Sequence, residues 1–447
     1  MSSSGFTFAN PTYTADNFFQ YSAGDIEADK DIQAEQETEP IPAPLVQPPV
    51  MDLSAVLGAA AVAQIEAAGQ LVFHCVGDTG GIINPAPQLA VADAMCADLA
   101  ASTSTTGVPA FFYHLGDVVY YFGQMQYYPE QFYDPYRNYD APIFAIPGNH
   151  DGVMYANEPV DYSLQPFFEN FCTTTPVASV PSFSRTTMTQ PGVYFVLTAP
   201  FAYFIGLYSN TGEEMGIIGD DSTIGQDQVT FLQQQLAAAL AARSAQGAAP
   251  LALIIAVHHP PFTGSSEHFP SAAMLAQIDS CCSQVGIWPD LVLSGHAHLY
   301  ERYTRNLAAS GAASGAPNGA ANGQQVAYVV AGNGGYYNLS KMTSDTAGNT
   351  PVAGQHSEPD GQGGTISLDQ YNDTDFGFLR ITVNATTITV QALGVSLDDP
   401  TSTPDVIDNF TVDLVGHVVT TVSAAGGTNG GTNGGTNGGT NGGTSGS

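Results

Sequence analysis

From Leu71 onward the chain is a series of short apolar runs, each closed by Gly, Pro or a polar residue. They are "LVFHCV" from Leu71, "PAFFYHL" from Pro109, "APIFAIP" from Ala141, "GVYFVLTAP" from Gly192 and "AYFIGLY" from Ala202. "PLALIIAV" from Pro250, "PDLVLS" from Pro289, "QVAYVVAG" from Gln325, "GFLRITV" from Gly377 and "TITVQAL" from Thr387 follow. Runs of this length with such ends predict strands. Between some of them the period lengthens to that of a helix, in "AVADAMCADLAAS" and in "GQDQVTFLQQQLAAALAAR". In the second, Val229, Leu232, Leu236 and Leu240 recur every three or four residues, with Asp227 in the first turn and Arg243 in the last, as the helix dipole prefers. Strands alternating with helices early and paired strands late predict an α/β (α+β) layered sandwich, with two packed mixed sheets flanked by helices.

The flanks differ in texture. Residues 1–70 begin polar, turn Pro-rich ("EPIPAPLVQPPV") and show no strand alternation, which predicts a flexible or draping extension. Within it "LSAVLGAAAVA" from Leu53 reads as an Ala-rich helix, too short to span a bilayer. Residues 71–395 form the expected catalytic domain, with 396–425 as C-terminal strands or extension and 426–447, a "GGTN" repeat, as a tail. Stretches 307–324 and 340–375 read as surface loops.

Length and composition add limits. At 447 residues, 43% hydrophobic, the chain can bury a large core without staples. Five cysteines, an odd number, make no disulfide framework and leave the redox compartment open. Eight Lys and Arg against 41 Asp and Glu give a formal charge of −33, which disfavours duplex nucleic acid as a partner. No membrane span is expected. The N-terminus lacks the basic and apolar regions of a secretory signal, so either the protein is not exported by that route or the sequence begins after the signal.

Candidate chemistry lies at the strand ends. "LVFHCV" runs into "GDTGG" with Asp78, "FFYHL" into "GDVVY" with Asp117 and Tyr120, "IFAIP" into "GNHD" with Asn149 and His150. "LIIAV" runs into "HHPPF" with His258 and His259, and "DLVLS" into "GHAH" with His296 and His298. One such "GD" is ordinary turn chemistry. Five in succession place two carboxylates, a phenol, an amide oxygen and at least three imidazoles where α/β proteins bind ligands. That set is too large for one tetrahedral ion and suits two ions sharing a bridging carboxylate. Hard oxygen donors with a phenolate favour ferric iron at one position, and the imidazole-rich position suits zinc, manganese or ferrous iron.

In this order, "GDTG", "GDVVY", "GNHD", "VHHP" and "GHAHLYER" resemble the calcineurin-like metallophosphoesterases, and within them the purple acid phosphatase type. The resemblance runs from Leu71 to about Leu393. Much of the superfamily carries a histidine two residues after the first aspartate; here that position is Gly80, and Tyr120 supplies the replacement donor of the purple acid phosphatase pattern. The resemblance implies a first metal held by Asp78, Asp117, Tyr120 and His298, and a second held by Asp117, Asn149, His258 and His296. It implies His258 rather than His259 as the ligand of "VHHPPF", leaving His259 as a supporting or packed imidazole. His150 is then the residue that binds the phosphoryl group or protonates the leaving alkoxide. His268, ending "SSEH", is either the outer histidine near the phosphate or an exposed loop histidine.

The implied activity is hydrolysis of small phosphate monoesters, with an acidic optimum. The alternatives are a phosphodiesterase acting on nucleotides or lipid headgroups and a metal-holding scaffold without turnover. The resemblance leans towards a secreted or cell-surface protein and leaves oligomeric state open. It also lacks, in the first 70 residues, the amino-terminal β-sandwich of plant-type members. His74 and His114 read as core or edge histidines, His356 and His417 as solvated, and Cys281 and Cys282 as packed thiols.

Overall fold

A computed structural model describes residues 42–422, apart from 104–106, 153–161, 179–184, 212–215, 220–222, 246–249, 308–322 and 345–348. The "GGTN" tail, the polar start of the chain and most of the stretch 307–324 lie outside the described residues. In chain order the strands are β1 (Val50–Asp52), β2 (Gln70–Val76), β3 (Pro109–His114), β4 (Ile143–Ala145), β5 (Phe195–Ala199), β6 (Ala202–Gly206), β7 (Ala252–Ala256) and β8 (Leu291–Ser294). They continue with β9 (Tyr300–Asn306), β10 (Gln325–Ala331), β11 (His356–Pro359), β12 (Thr365–Asn372), β13 (Phe376–Asn384), β14 (Thr387–Val395), β15 (Asp405–Asp413) and β16 (Val418–Thr421). The helices are α1 (Ser54–Leu57), α2 (Ala59–Ala68), α3 (Ala86–Ala101), α4 (Asn149–Gly152), α5 (Gln165–Phe171), α6 (Thr223–Ser244) and α7 (Ala272–Val285).

Two mixed sheets pack face to face. One has the order β1-β5-β6-β7-β8-β10-β9-β12-β11 and the other β16-β15-β14-β13-β2-β3-β4. The strands β2, β3 and β4 pair in parallel, as do β6, β7 and β8, so within each set the C-terminal ends emerge along one edge. The central strands are mostly apolar because both their faces are buried. In β7, Ala252, Ile254 and Ala256 enter the core between the sheets, while Leu253 and Ile255 join the core beneath the helices. Across the inter-sheet core, the Phe204 ring of β6 stands edge-on to Phe73 of β2 and Phe111 of β3, with centroids 5.1 Å and 5.7 Å apart. On the outer face α6 contributes Phe231, Leu232 and Leu236, and α7 contributes Met274, Ile278 and both Cys281 and Cys282. No described helix is long and apolar enough to cross a membrane.

The structure corrects three sequence expectations. The extension expected over residues 1–70 is ordered in its second half: β1 pairs with β5, Leu53 is fully buried, and α2 packs beside β2. β1 has three residues, too few to show alternation, and Gly58 divides the Ala-rich segment into α1 and α2. The expected surface loop 340–375 contains β11 and β12, which extend the nine-stranded sheet beyond β9. Within 396–425, read as C-terminal strands or extension, lie β15 and β16, and β15 pairs along most of β14. His417 is half-buried rather than solvated, its Nδ1 lying 3.0 Å from Asp290.

Candidate metal centre

The five loops that follow β2, β3, β4, β7 and β8 meet at one edge of the sandwich. The first three belong to one sheet and the last two to the other, so the seam between the sheets opens onto these loops. Asp78, Asp117 and His296 adopt φ of 56°, 54° and 68°. Left-handed backbone at non-glycine residues is costly and is retained where a side chain must be aimed.

Two groups of donor atoms result. In one, ligand atoms of Asp117, His258 and His296 all lie within 4.8 Å of one another. Asn149 Oδ1 is 3.0 Å from His258 Nε2 and 3.1 Å from His296 Nδ1. Asp117 Oδ2 is 3.3 Å from His258 Nε2. In the other group, the Tyr120 hydroxyl is 3.2 Å from His298 Nε2 and 3.3 Å from Asp78 Oδ1, and His298 Nε2 is 3.5 Å from that oxygen. The groups adjoin, for His258 Nε2 also lies 4.0 Å from Asp78 Oδ1. All seven side chains expected as ligands are thus brought together.

This donor set fits cations. His258 Nδ1 is 2.8 Å from the Leu115 carbonyl, which accepts only from an N–H. A neutral His258 therefore turns an Nε2 lone pair towards the oxygens of Asn149 and Asp117. Acceptors facing one another need a positive charge between them. Without an ion that charge falls on the ring itself. Burial lowers the pKa of His258, but the carboxylates of Asp117 and Asp78 outweigh it and raise the ring to about 9. Burial works against ionised Asp117 as well, yet His258 and His150 beside it hold the carboxyl well below its usual range. Asp78 is displaced upward, by burial first and by Asp117 after it.

The remaining histidines divide by position. His150 Nδ1 is 2.8 Å from the Tyr121 carbonyl, to which it donates, and His150 Nε2 lies 4.0 Å from Asp117 Oδ2. The His268 ring sits 4.6 Å from that of His296 and 5.0 Å from that of His298, with its Nδ1 3.3 Å from Ser340 Oγ. Burial and His298 push His268 down to about 3. His259 is buried, its Nδ1 2.9 Å from Ser209 Oγ and its ring 4.3 Å from that of His296. His74 and His114 are fully buried, bonded to Asp98 and Tyr139 and to Thr79 respectively. His356 is exposed.

Sequence reasoning missed two carboxylates that hold these loops. Asp151 accepts from the backbone N–H of Gly148, Val118 and Val119, tying the loop of Asn149 to that of Asp117. It is the last letter of "GNHD", the one signal of its role. Glu301 in β9 accepts from the Thr263 hydroxyl at 2.7 Å and the Gly264 N–H at 2.7 Å. Thr263 Oγ1 in turn accepts from Ser265 N, and Ser265 Oγ from His268 N, so Glu301 supports the turn that carries His268.

A family model described as calcineurin-like phosphoesterase matches residues 71–300. No curated protein matches. Among solved structures, purple acid phosphatase PPD1 from yellow lupin (Lupinus luteus) seeds is similar with TM-score 0.50 and 16% identity, over 77% of this chain and 54% of that one. This chain therefore spans about half the length of the lupin chain, and at that identity the likeness concerns the fold. A structure of PhoD matches with TM-score 0.47 and 14% identity, over 80% of this chain and 72% of that one. GAP50, the anchor in the inner membrane complex of Plasmodium, matches with TM-score 0.45 and 13% identity, over 76% and 87%.

Proposed function

The chain belongs to the calcineurin-like phosphoesterases, and from that premise we propose that it is a phosphatase of the purple acid type, hydrolysing small phosphate monoesters with two metal ions. Asp78, Asp117, Tyr120 and His298 would hold the first ion, ferric iron by the hardness of its oxygen donors. Asp117, Asn149, His258 and His296 would hold the second, with zinc, manganese or ferrous iron suited to its imidazoles. The observation that carries the reading is the convergence of acceptor atoms around His258 Nε2, with Asn149 Oδ1 at 3.0 Å and Asp117 Oδ2 at 3.3 Å.

When bound, the ions supply Lewis-acid polarisation of the phosphoryl oxygens and a water of lowered pKa. The protein's own task is to orient the ester and move a proton. His150 donates Nδ1–H to the Tyr121 carbonyl, which leaves Nε2 to carry the proton for the departing alkoxide. Its side chain is 27% exposed, so a substrate can reach it. His268, over His296 and His298, would bind a phosphoryl oxygen. The Leu115 and Tyr121 carbonyls fix the orientations of the His258 and His150 rings.

The test is phosphate release by the metal-loaded full chain from an alkyl phosphate monoester and from the corresponding dialkyl diester. The monoester should be turned over at least tenfold faster in kcat/KM. A faster diester reaction would transfer the reading to the phosphodiesterase alternative. Tight metal binding with no turnover of either ester would make the chain a metal-holding scaffold.

A further inference from the structure

One wall of the donor set is made of tyrosine rings. The Tyr336 centroid lies 4.2 Å from that of His298 and 4.5 Å from that of Tyr120. Its hydroxyl is 2.7 Å from the Tyr121 hydroxyl, and the Tyr121 ring lies 5.5 Å from His150. Tyr337 continues the wall outward, its centroid 4.8 Å from Tyr336. Tyr121, Tyr336 and Tyr337 are half-buried, packed with Ile83 over the buried Tyr120 and Ile82. At the His268 side of the site, the next residue, Phe269, is 64% exposed. Partly exposed aromatic rings clustered beside a polar site call for an occupant.

The chemistry of that occupant is narrowed by charge. The chain has eight Lys and Arg in all, and its described guanidinium groups are engaged in ion pairs or with backbone carbonyls. Arg302 and Arg305 are paired with Asp408 and Asp279, and Arg243 with Asp290. Arg185 donates to the carbonyls of Tyr139 and Ala141. The exposed Lys341 follows Ser340, which meets His268, and its ammonium donates to the carbonyl of Asp373. On the tyrosine side the described neighbours of the donor set are phenols and the His150 imidazole. A leaving group that brought a second phosphate or a carboxylate would meet phenols rather than a described guanidinium along this wall, inside a chain of formal charge −33.

We propose that this wall is the leaving-group subsite, and that the preferred substrate is a phosphate ester of a flat, uncharged aromatic alcohol. The inference rests on the phosphoester hydrolase reading. The ester's phosphoryl group sits at the donor set within reach of His150, while its ring stacks on Tyr337 and the edge of Tyr121. Offset and edge-to-face ring pairs add a few-fold to about tenfold in affinity beyond simple burial. A saturated ring of the same size gains the burial and not the ring pairing.

The test compares benzyl phosphate with cyclohexylmethyl phosphate, whose rings are of similar size and whose alkoxides are of similar basicity. It also compares the binding of the two corresponding phosphonates, which are not hydrolysed, by titration calorimetry on the metal-loaded full chain. The aromatic member should be favoured on the order of tenfold in both kcat/KM and affinity. Tyr337→Leu, which keeps apolar bulk without a ring, should cut that preference to about threefold or less, and Tyr337→Phe should keep it. Equal treatment of the two esters, or a preference unchanged in Tyr337→Leu, overturns the subsite while leaving the hydrolase reading intact. A preference among the phosphonates with no turnover of either ester supports the subsite and overturns the hydrolase reading.

Discussion

Tyr120 lies directly against Gly80: a Cβ added at Gly80 would stand 2.7 Å from Cδ2 of Tyr120 and 2.5 Å from Oε1 of Gln131. The phenol therefore occupies the space that a side chain two residues after Asp78 would need. Gln131 locks the arrangement, donating to the Tyr120 carbonyl at 2.8 Å and accepting from its N–H at 2.9 Å. Gly80→Ala should push the ring out of line, lower the content of the first metal, and destabilise the fold by about 1–3 kcal/mol, the usual cost of overpacking. Elemental analysis and thermal unfolding of the variant check both effects. Full metal content at unchanged Tm would mean that the contact is relaxed at no cost.

The phenol itself carries a spectroscopic prediction. A phenolate on ferric iron absorbs visible light, so the iron-loaded protein should be coloured and Tyr120→Phe should bleach it with the far-ultraviolet circular dichroism unchanged. A colourless wild-type protein that turns over esters with zinc alone would remove iron from the account.

Ligand and catalyst should separate by mutation. If Asp117 serves both ions as proposed, Asp117→Asn should weaken binding of both. His150→Ala should keep the ions and lower kcat by about 10²-fold or more, the scale of a general acid. Metal content and kcat measured on the same preparations distinguish them. A His150→Ala protein that has lost its metals would make His150 a ligand.

Glu301 gives the stability a pH dependence. Burial raises its carboxyl to about 7, against the hydrogen bonds of Thr263, Gly264 and Tyr303 that pull it down. A carboxyl raised above its unfolded value binds its proton more tightly in the folded state, so stability is highest below the unfolded pKa and falls as pH rises towards the folded one. Relative to Glu301→Gln, the wild-type protein should lose up to about 3 kcal/mol between pH 4.5 and 7 and change little above that. The difference between their melting temperatures across this range is the readout; a flat difference would show that the Glu301 carboxyl titrates in the folded protein as it does in the unfolded chain.

Much of the fold is legible because strands buried on both faces leave continuous apolar runs, as "LALIIAV" does for β7. The same logic hides β9. Its sequence, YERYTRN, carries Glu301, Arg302 and Arg305 into the interior, where partners remote in sequence neutralise them: Asp408 and Asp369 for Arg302, Asp279 and Asp360 for Arg305. Nothing local announces those partners. β12 alternates buried Ile366 and Leu368 with polar neighbours over too short a span, and β11 is exposed throughout. In the site, each expected ligand follows a recognisable strand, which is why motif order suffices to find it. The proximity of His268 to His296 and His298 depends on the turn that Glu301 supports and on Ser340, contacts between segments that are dispersed along the chain.

Metal titration of the stripped protein, followed by phosphate release from an alkyl monoester, tests the central claim most directly. Turnover should stay low through the first equivalent and saturate at two ions per chain, with elemental analysis of the saturated protein giving the same number. Full activity at one equivalent, or two bound ions without phosphate release, would contradict the account.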